Sequence, residues 1–109
     1  MIDDQPLMLI DNPDVEEIIE EDEDLDQRGD HKVVIHNDDT TPMDFVLYIL
    51  IDVFKRPHIM AEAIMWEAHE DGNSIVGAWS KKVAEMKVRQ AHFRARVNGF
   101  PLKFTIEQD

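Results

Sequence analysis

The run Val33-Val34-Ile35-His36 is cut off at once by Asn37-Asp38-Asp39-Thr40-Thr41-Pro42-Met43. β-Branched residues favour extended backbone, and an Asn, two Asp and a Thr-Pro step end it. The spacing therefore predicts a strand that hands over abruptly to a helix. Pro42 suits the first helical turn, where its missing N–H costs nothing, and Thr41 is placed to cap the exposed amides. Asn37, Asp38 and Asp39 then sit on a short, stiff junction, beside apolar neighbours such as Ile35 and Met43. Hydrogen-bond acceptors gathered next to apolar side chains make a small site able to hold a cation together with a hydrophobic group. Seen alone, the same run also fits a turn that bonds its own backbone.

Periodicity extends this reading in both directions. Strand character is expected from Lys32 to Asn37, then a helix from Met43 to Phe54 with Phe45, Val46, Ile49, Leu50, Val53 and Phe54 on its apolar side. Lys55-Arg56 follows where basic residues complement a helix dipole. Pro57 opens a second helix to about Glu70, closed by Asp71-Gly72-Asn73. Ser74 to Trp79 reads as a strand, and Ser80 caps a third helix whose inward side is assigned Val83, Ala84, Val88, Ala91, Phe93, Ala95 and Val97. Asn98-Gly99-Phe100-Pro101 breaks that helix, and Leu102 to Ile106 alternates as a closing strand. The order β-α-α-β-α-β implies an α+β domain, a three-stranded antiparallel sheet packed on three helices.

Charge divides the chain in two. Residues 1–30 hold 13 Asp and Glu against the single base Arg28, a net of −12, so the remaining 79 residues carry −1. An acidic stretch without aromatics cannot offset its ordering entropy by burial, so residues 1–30 are expected to be a disordered extension and 31–109 the folded domain. Nucleic acid is a poor partner for this balance, since phosphate binding runs on Lys and Arg; anionic membranes are disfavoured likewise. With no cysteine, disulfides and thiolate chemistry are excluded. Neither a membrane span nor the basic start of a signal peptide is visible, so a soluble, cytoplasmic protein is expected.

A second constellation lies on the middle helix. Met65, Ala68 and His69 stand at i, i+3 and i+4 and share one face, a pocket wall with one polar group. Glu67 and Glu70 are expected to face water. By default Met43 and Met65 would be core filler, and His69 a dipole-complementing residue near a helix end.

Taken in order, the elements Val-Val-Ile-His-Asn-Asp-Asp-Thr-Thr-Pro-Met-Asp-Phe-Val (33–46), Met-Trp-Glu-Ala-His (65–69) with Gly72, Val-Ala-Glu-Met-Lys (83–87) and Pro101-Leu102 resemble the ClpS family. The resemblance covers about residues 32–108. It implies a non-enzymatic adaptor, without cofactor, that recognises destabilising N-terminal residues (N-degrons) and delivers their bearers to a Clp AAA+ unfoldase of ClpA or ClpC type and its peptidase. It further implies that Asn37, Asp38 and His69 hold the substrate's α-amino group. Ile35, Asp39, Thr41, Met43, Met65, Ala68 and Leu102 would line the side-chain pocket, with Lys82 and Lys87 at the unfoldase-docking rim. A monomer is expected, and the acidic extension would be engaged by the unfoldase during hand-off.

The chemistry of that assignment is coherent. An α-amino group of pKa roughly 7.7 to 8.0 is mostly cationic at neutral pH and wants acceptors. Burying a Leu or aromatic side chain contributes about 1.5 to 3 kcal/mol, and each charge-assisted hydrogen bond about as much. Against an association cost of about 4 kcal/mol or more, this implies micromolar or somewhat tighter binding. Acetylation would leave the acceptors unpaired, and a protonated His69 would become a donor and oppose a cation.

Three positions depart from the family. Ala68 stands where valine is commoner, implying a wider pocket with a drift toward Trp or tolerance of β-branched residues; Lys82 replaces an acidic residue; Thr40 replaces a larger one. Two other readings were open to the residues themselves. His36 and Asp38, completed by His31, Asp39 and His69, would make a metal-dependent hydrolase. Alternatively the domain docks a folded partner through apolar surface, modulating an unfoldase without reading N-termini.

Overall fold

The computed structural model describes residues 29–108. The expected disorder of the acidic extension falls, for residues 1–28, outside the described residues. Six elements follow in the order expected: β1 (His31–His36), α1 (Met43–Asp52), α2 (His58–Asp71), β2 (Asn73–Trp79), α3 (Lys81–Val97) and β3 (Lys103–Gln108). The sheet is ordered β2-β1-β3, with both pairings antiparallel.

Because β1 is central, its side chains are covered from both neighbours, and Val33, Val34 and Ile35 are all buried. Val33 and Ile35 face the helices and join the core with Ile49, Leu50, Phe54, Ala61, Ala91 and Phe104. Val33 pairs with Gly77 and Val34 with Ile75, so Val76 is an extra residue, a bulge in β2. The bulge delivers Trp79 to the core, where its ring centroid lies 5.6 Å from that of Phe54. Gly77 makes room for it: a Cβ there would stand 2.7 Å from Trp79 Cη2. Burial of Trp79 and Phe54 contributes on the order of 1.5 to 3 kcal/mol each.

Helix ends are where the sequence reading needs correction. Pro42 (ψ 146°) and Pro57 (ψ 152°) occupy the boundary positions just before α1 and α2, not the first turn. Thr41 does not cap α1, because its hydroxyl is committed to Asp38. α1 stops at Asp52; Lys55 then adopts φ 56° and Arg56 N–H closes back on Leu50 O at 3.0 Å. The Lys55-Arg56 pair therefore lies past the last turn, and Arg56 is buried with its guanidinium 5.7 Å from the Trp79 ring centroid. Ser80 does cap α3, accepting from Val83 N–H at 3.3 Å. At the far end Gly99, with φ +77°, lets Phe100 N–H reach Ala95 O at 2.9 Å.

α3 holds the inward residues Ala84, Val88, Ala91 and Ala95, but Phe93 and Val97 point outward, against expectation. Its side-chain tie to β3 is His92, whose Nε2 accepts from Phe104 N–H at 3.0 Å. Desolvation by burial, with Arg96 and Lys103 nearby, lowers the His92 pKa below its ordinary value. Lys87 is the other surprise on this helix. It is 5 % exposed, and its ammonium donates to Val53 O at 3.2 Å while lying 5.8 Å from the Trp79 ring centroid.

Candidate functional site

Where β1 runs out, its last residues meet the start of α1 and the C-terminal half of α2. The continuous stretch 35–46, residues 65–69 of α2 and Leu102 thereby close a cavity of about 200 Å³. Its floor is apolar: Ile35 from β1, Met65 and Ala68 from α2, Leu102 ahead of β3, and Met43 and Val46 from α1. Its rim is polar, formed by His36, Asn37, Asp38, Asp39, Thr41 and His69.

The junction is held by its own hydrogen bonds. Asp38 Oδ1 accepts Thr40 N–H at 2.8 Å and Thr41 N–H at 2.6 Å, while Oδ2 accepts the Thr41 hydroxyl at 2.8 Å. This is the Asx turn that the residues alone allowed, and it coexists with a place on the cavity rim. Asn37 is fixed through its backbone, N–H donating to Gly72 O at 2.9 Å. That bond ties the end of β1 to the turn closing α2, where Gly72 takes φ +94°. His69 sits one turn before Gly72, its ring edge-on to Trp66 with centroids 5.8 Å apart. Ser74 donates to Glu67, so Glu67, although exposed, also anchors α2 to β2.

All ten residues expected around the α-amino group and side chain line this one cavity: Ile35, Asn37, Asp38, Asp39, Thr41, Met43, Met65, Ala68, His69 and Leu102. Two further lining residues were missed. Val46 follows Met43 by three positions and shares its helix face, a signal the sequence reading spent on the core. His36 flanks Asn37, and its Nε2 lies 2.7 Å from Thr105 Oγ1 on β3. Of the expected docking residues, Lys82 is exposed at the start of α3, and Lys87 is buried as described.

The arrangement suits binding. Carboxylate, amide and imidazole groups stand over an apolar hollow, and the hydroxyl of Thr41 is already donated to a carboxylate. Among the described residues no group of three or more His, Asp or Glu converges as a metal site. His36, Asp38, Asp39 and His69 share the cavity rim without converging as a ligand set, and His31 stands apart beside Asp30. No helix among the described residues is long and apolar enough to cross a membrane.

Comparison with known proteins gives this geometry its context. A family model described as "ATP-dependent Clp protease adaptor protein ClpS" matches residues 26–105. An adapter of that name from Oleidesulfovibrio alaskensis is 43% identical over 86 residues, 79% of this chain and 83% of its own length. One from a Ruegeria species is 41% identical over 96% of both chains. Among solved structures, Agrobacterium tumefaciens ClpS2 bound to L-phenylalaninamide superposes with a TM-score of 0.70 at 35% identity, covering 72% of this chain and 95% of that one. The strand–junction–helix cavity thus belongs to a protein of the ClpS family, the non-catalytic adaptors of the ATP-dependent Clp protease.

Proposed function

We propose that the cavity captures the first residue of substrate proteins bearing a free α-amino group and a large hydrophobic or aromatic side chain, for delivery to a Clp AAA+ unfoldase of ClpA or ClpC type. The observation that carries this is the gathering of a polar rim and an apolar hollow of about 200 Å³ in one place. The ligand of the solved ClpS2 relative, L-phenylalaninamide, has the matching chemistry: an ammonium beside an aromatic side chain.

In this reading Asn37, Asp38 and His69 accept from the ammonium. Asp38 spends three acceptor directions on Thr40 and Thr41, and of a carboxylate's roughly four lone-pair sites about one, on Oδ2, is left for a cation. Ile35, Met43, Met65, Ala68 and Leu102 receive the side chain, with Asp39 and Thr41 at the edge. Ala68 in place of a branched residue widens the hollow, favouring Trp and tolerating β-branched first residues. Lys82, exposed at the start of α3, contributes to the unfoldase contact; Lys87 supports that surface from beneath. The working protein is a cytoplasmic monomer whose residues 1–30 are engaged by the unfoldase during transfer.

Fluorescence anisotropy with labelled peptides differing only in the first residue and its acetylation is the test. Micromolar or tighter binding of free Phe, Leu and Trp ends is expected, with acetylated and Gly-initiated peptides unbound. Equal binding of free and acetylated ends would leave a docking module that ignores N-termini.

A further inference from the structure

Along α3 runs a solvent-facing stripe. Met86, Phe93 and Val97 are 38%, 58% and 68% exposed, and their i, i+7, i+11 spacing places them on one side of the helix. A shallow hollow of about 480 Å³ lies among Met86, Arg89, Gln90, Phe93 and Arg94. Lys81, Lys82, Arg89 and Arg96 are exposed on the same helix, whose only acid is Glu85. The face is therefore apolar along its centre and basic at its margins.

The chain carries a segment of the opposite character. Residues 1–28 contain twelve Asp and Glu against one Arg, and set among the acids are Leu7-Met8-Leu9-Ile10 and Val15 with Ile18-Ile19. This segment lies outside the described residues and joins the domain at Gly29. Gly29 packs at the very start of α3: a Cβ on it would fall 1.9 Å from the carbonyl carbon of Trp79. A 17-residue helix is about 25 Å long, and an extended chain covers that with about eight residues. Both apolar groups of the segment lie within reach.

We propose that the acidic segment 7–26 docks intramolecularly on the α3 stripe, its aliphatic residues against Met86, Phe93 and Val97 and its carboxylates against Arg89 and Arg96. Tethering raises the local concentration of the segment to the millimolar range, so contacts too weak for a separate peptide suffice. Docking covers an exposed apolar patch, and it is reversible because its charged part is screened by salt.

Because the chain has no cysteine, a single nitroxide can be placed by Asn12→Cys in the full-length, ¹⁵N-labelled protein. Amide signals of Met86 to Val97 should broaden, those on the outer side of α2 should not. The broadening should vanish in about 1 M salt, where the Debye length is about 3 Å, and in the Arg89→Glu/Arg96→Glu variant, whose remaining spectrum reports an intact fold. Absence of broadening on α3, broadening spread evenly over all faces, or broadening centred on Met65 and His69 would overturn the proposal. So would broadening seen in a mixture of labelled and unlabelled molecules at the same strength as within one, since a second copy would then be the occupant.

Discussion

Asp38 and Thr41 hold each other: the Thr41 hydroxyl donates to Asp38 Oδ2 at 2.8 Å, and the Thr41 amide to Oδ1 at 2.6 Å. The carboxylate that faces the cavity is thus also what shapes the entry to α1. Removing it with Asp38→Ala should cost stability, about 0.5 to 2 kcal/mol as for lost helix caps, and abolish peptide binding as well. Thr41→Val deletes only the hydroxyl bond and should cost about 1 kcal/mol with binding largely kept. Paired denaturant melts and peptide titrations check both; binding undiminished in Asp38→Ala would remove that residue from the site.

Ala68 is 4% exposed on the cavity floor. Ala68→Val adds two methyl groups to a closed wall, and overpacking of this kind costs about 1 to 3 kcal/mol where the space is needed. The loss should fall on Trp-initiated peptides, roughly fivefold or more in Kd, with Leu-initiated ones little changed. Equal losses for both would show that the floor does not set size preference.

His92 makes stability depend on pH. Its folded-state pKa lies below the ordinary 6.5 because of burial first and then Arg96 and Lys103, and its Nε2 must stay unprotonated to accept from Phe104 N–H. Above about pH 6.5 both folded and unfolded forms are neutral and the full contribution is present. As pH falls through 6.5 toward the lower folded value, the unfolded chain binds the proton first and stability drops. Denaturation midpoints at pH 8 and pH 5 should differ in this sense, and His92→Gln, which keeps an acceptor without a titration, should narrow the gap.

Lys87 and Lys82 lie on one helix but differ in burial. Lys87→Ala removes a buried ammonium from Val53 O and from the Trp79 ring and should destabilise by roughly 1 to 3 kcal/mol. Lys82→Ala, at an exposed position, should change stability by no more than about 0.5 kcal/mol. Thermal melts of the two variants are the check, and a silent Lys87→Ala would mean that its contacts are energetically idle.

Gly77→Ala would place a methyl 2.7 Å from Trp79 Cη2, in a core where the indole is 1% exposed. A loss of about 1 to 3 kcal/mol is expected, with a changed near-ultraviolet Trp signal reporting the displaced ring.

The element order was readable from local patterns such as the abrupt end of a β-branched run. The cavity residues, Leu102 among them, were legible as a set only through the resemblance of several elements in order, with the Met-x-x-Ala-His face at helical spacing as local support. What failed were questions settled only by neighbours. Phe93 and Val97 look inward by hydrophobicity, yet Ala84, Val88, Ala91 and Ala95 already fill the face of α3 that meets the sheet. Lys87 looks like rim charge until Val53 O and Trp79 are seen beside it. Thr41 had the composition of a cap, and the competing acceptor three residues earlier took its hydroxyl instead.

The bond from Asn37 N–H to Gly72 O joins the two halves of the rim before any guest arrives. A receptor braced in this way has little freedom left to surrender, so the entropic loss of capture falls mainly on the arriving chain end. Such an end can settle without waiting for the receptor to reorganise around it.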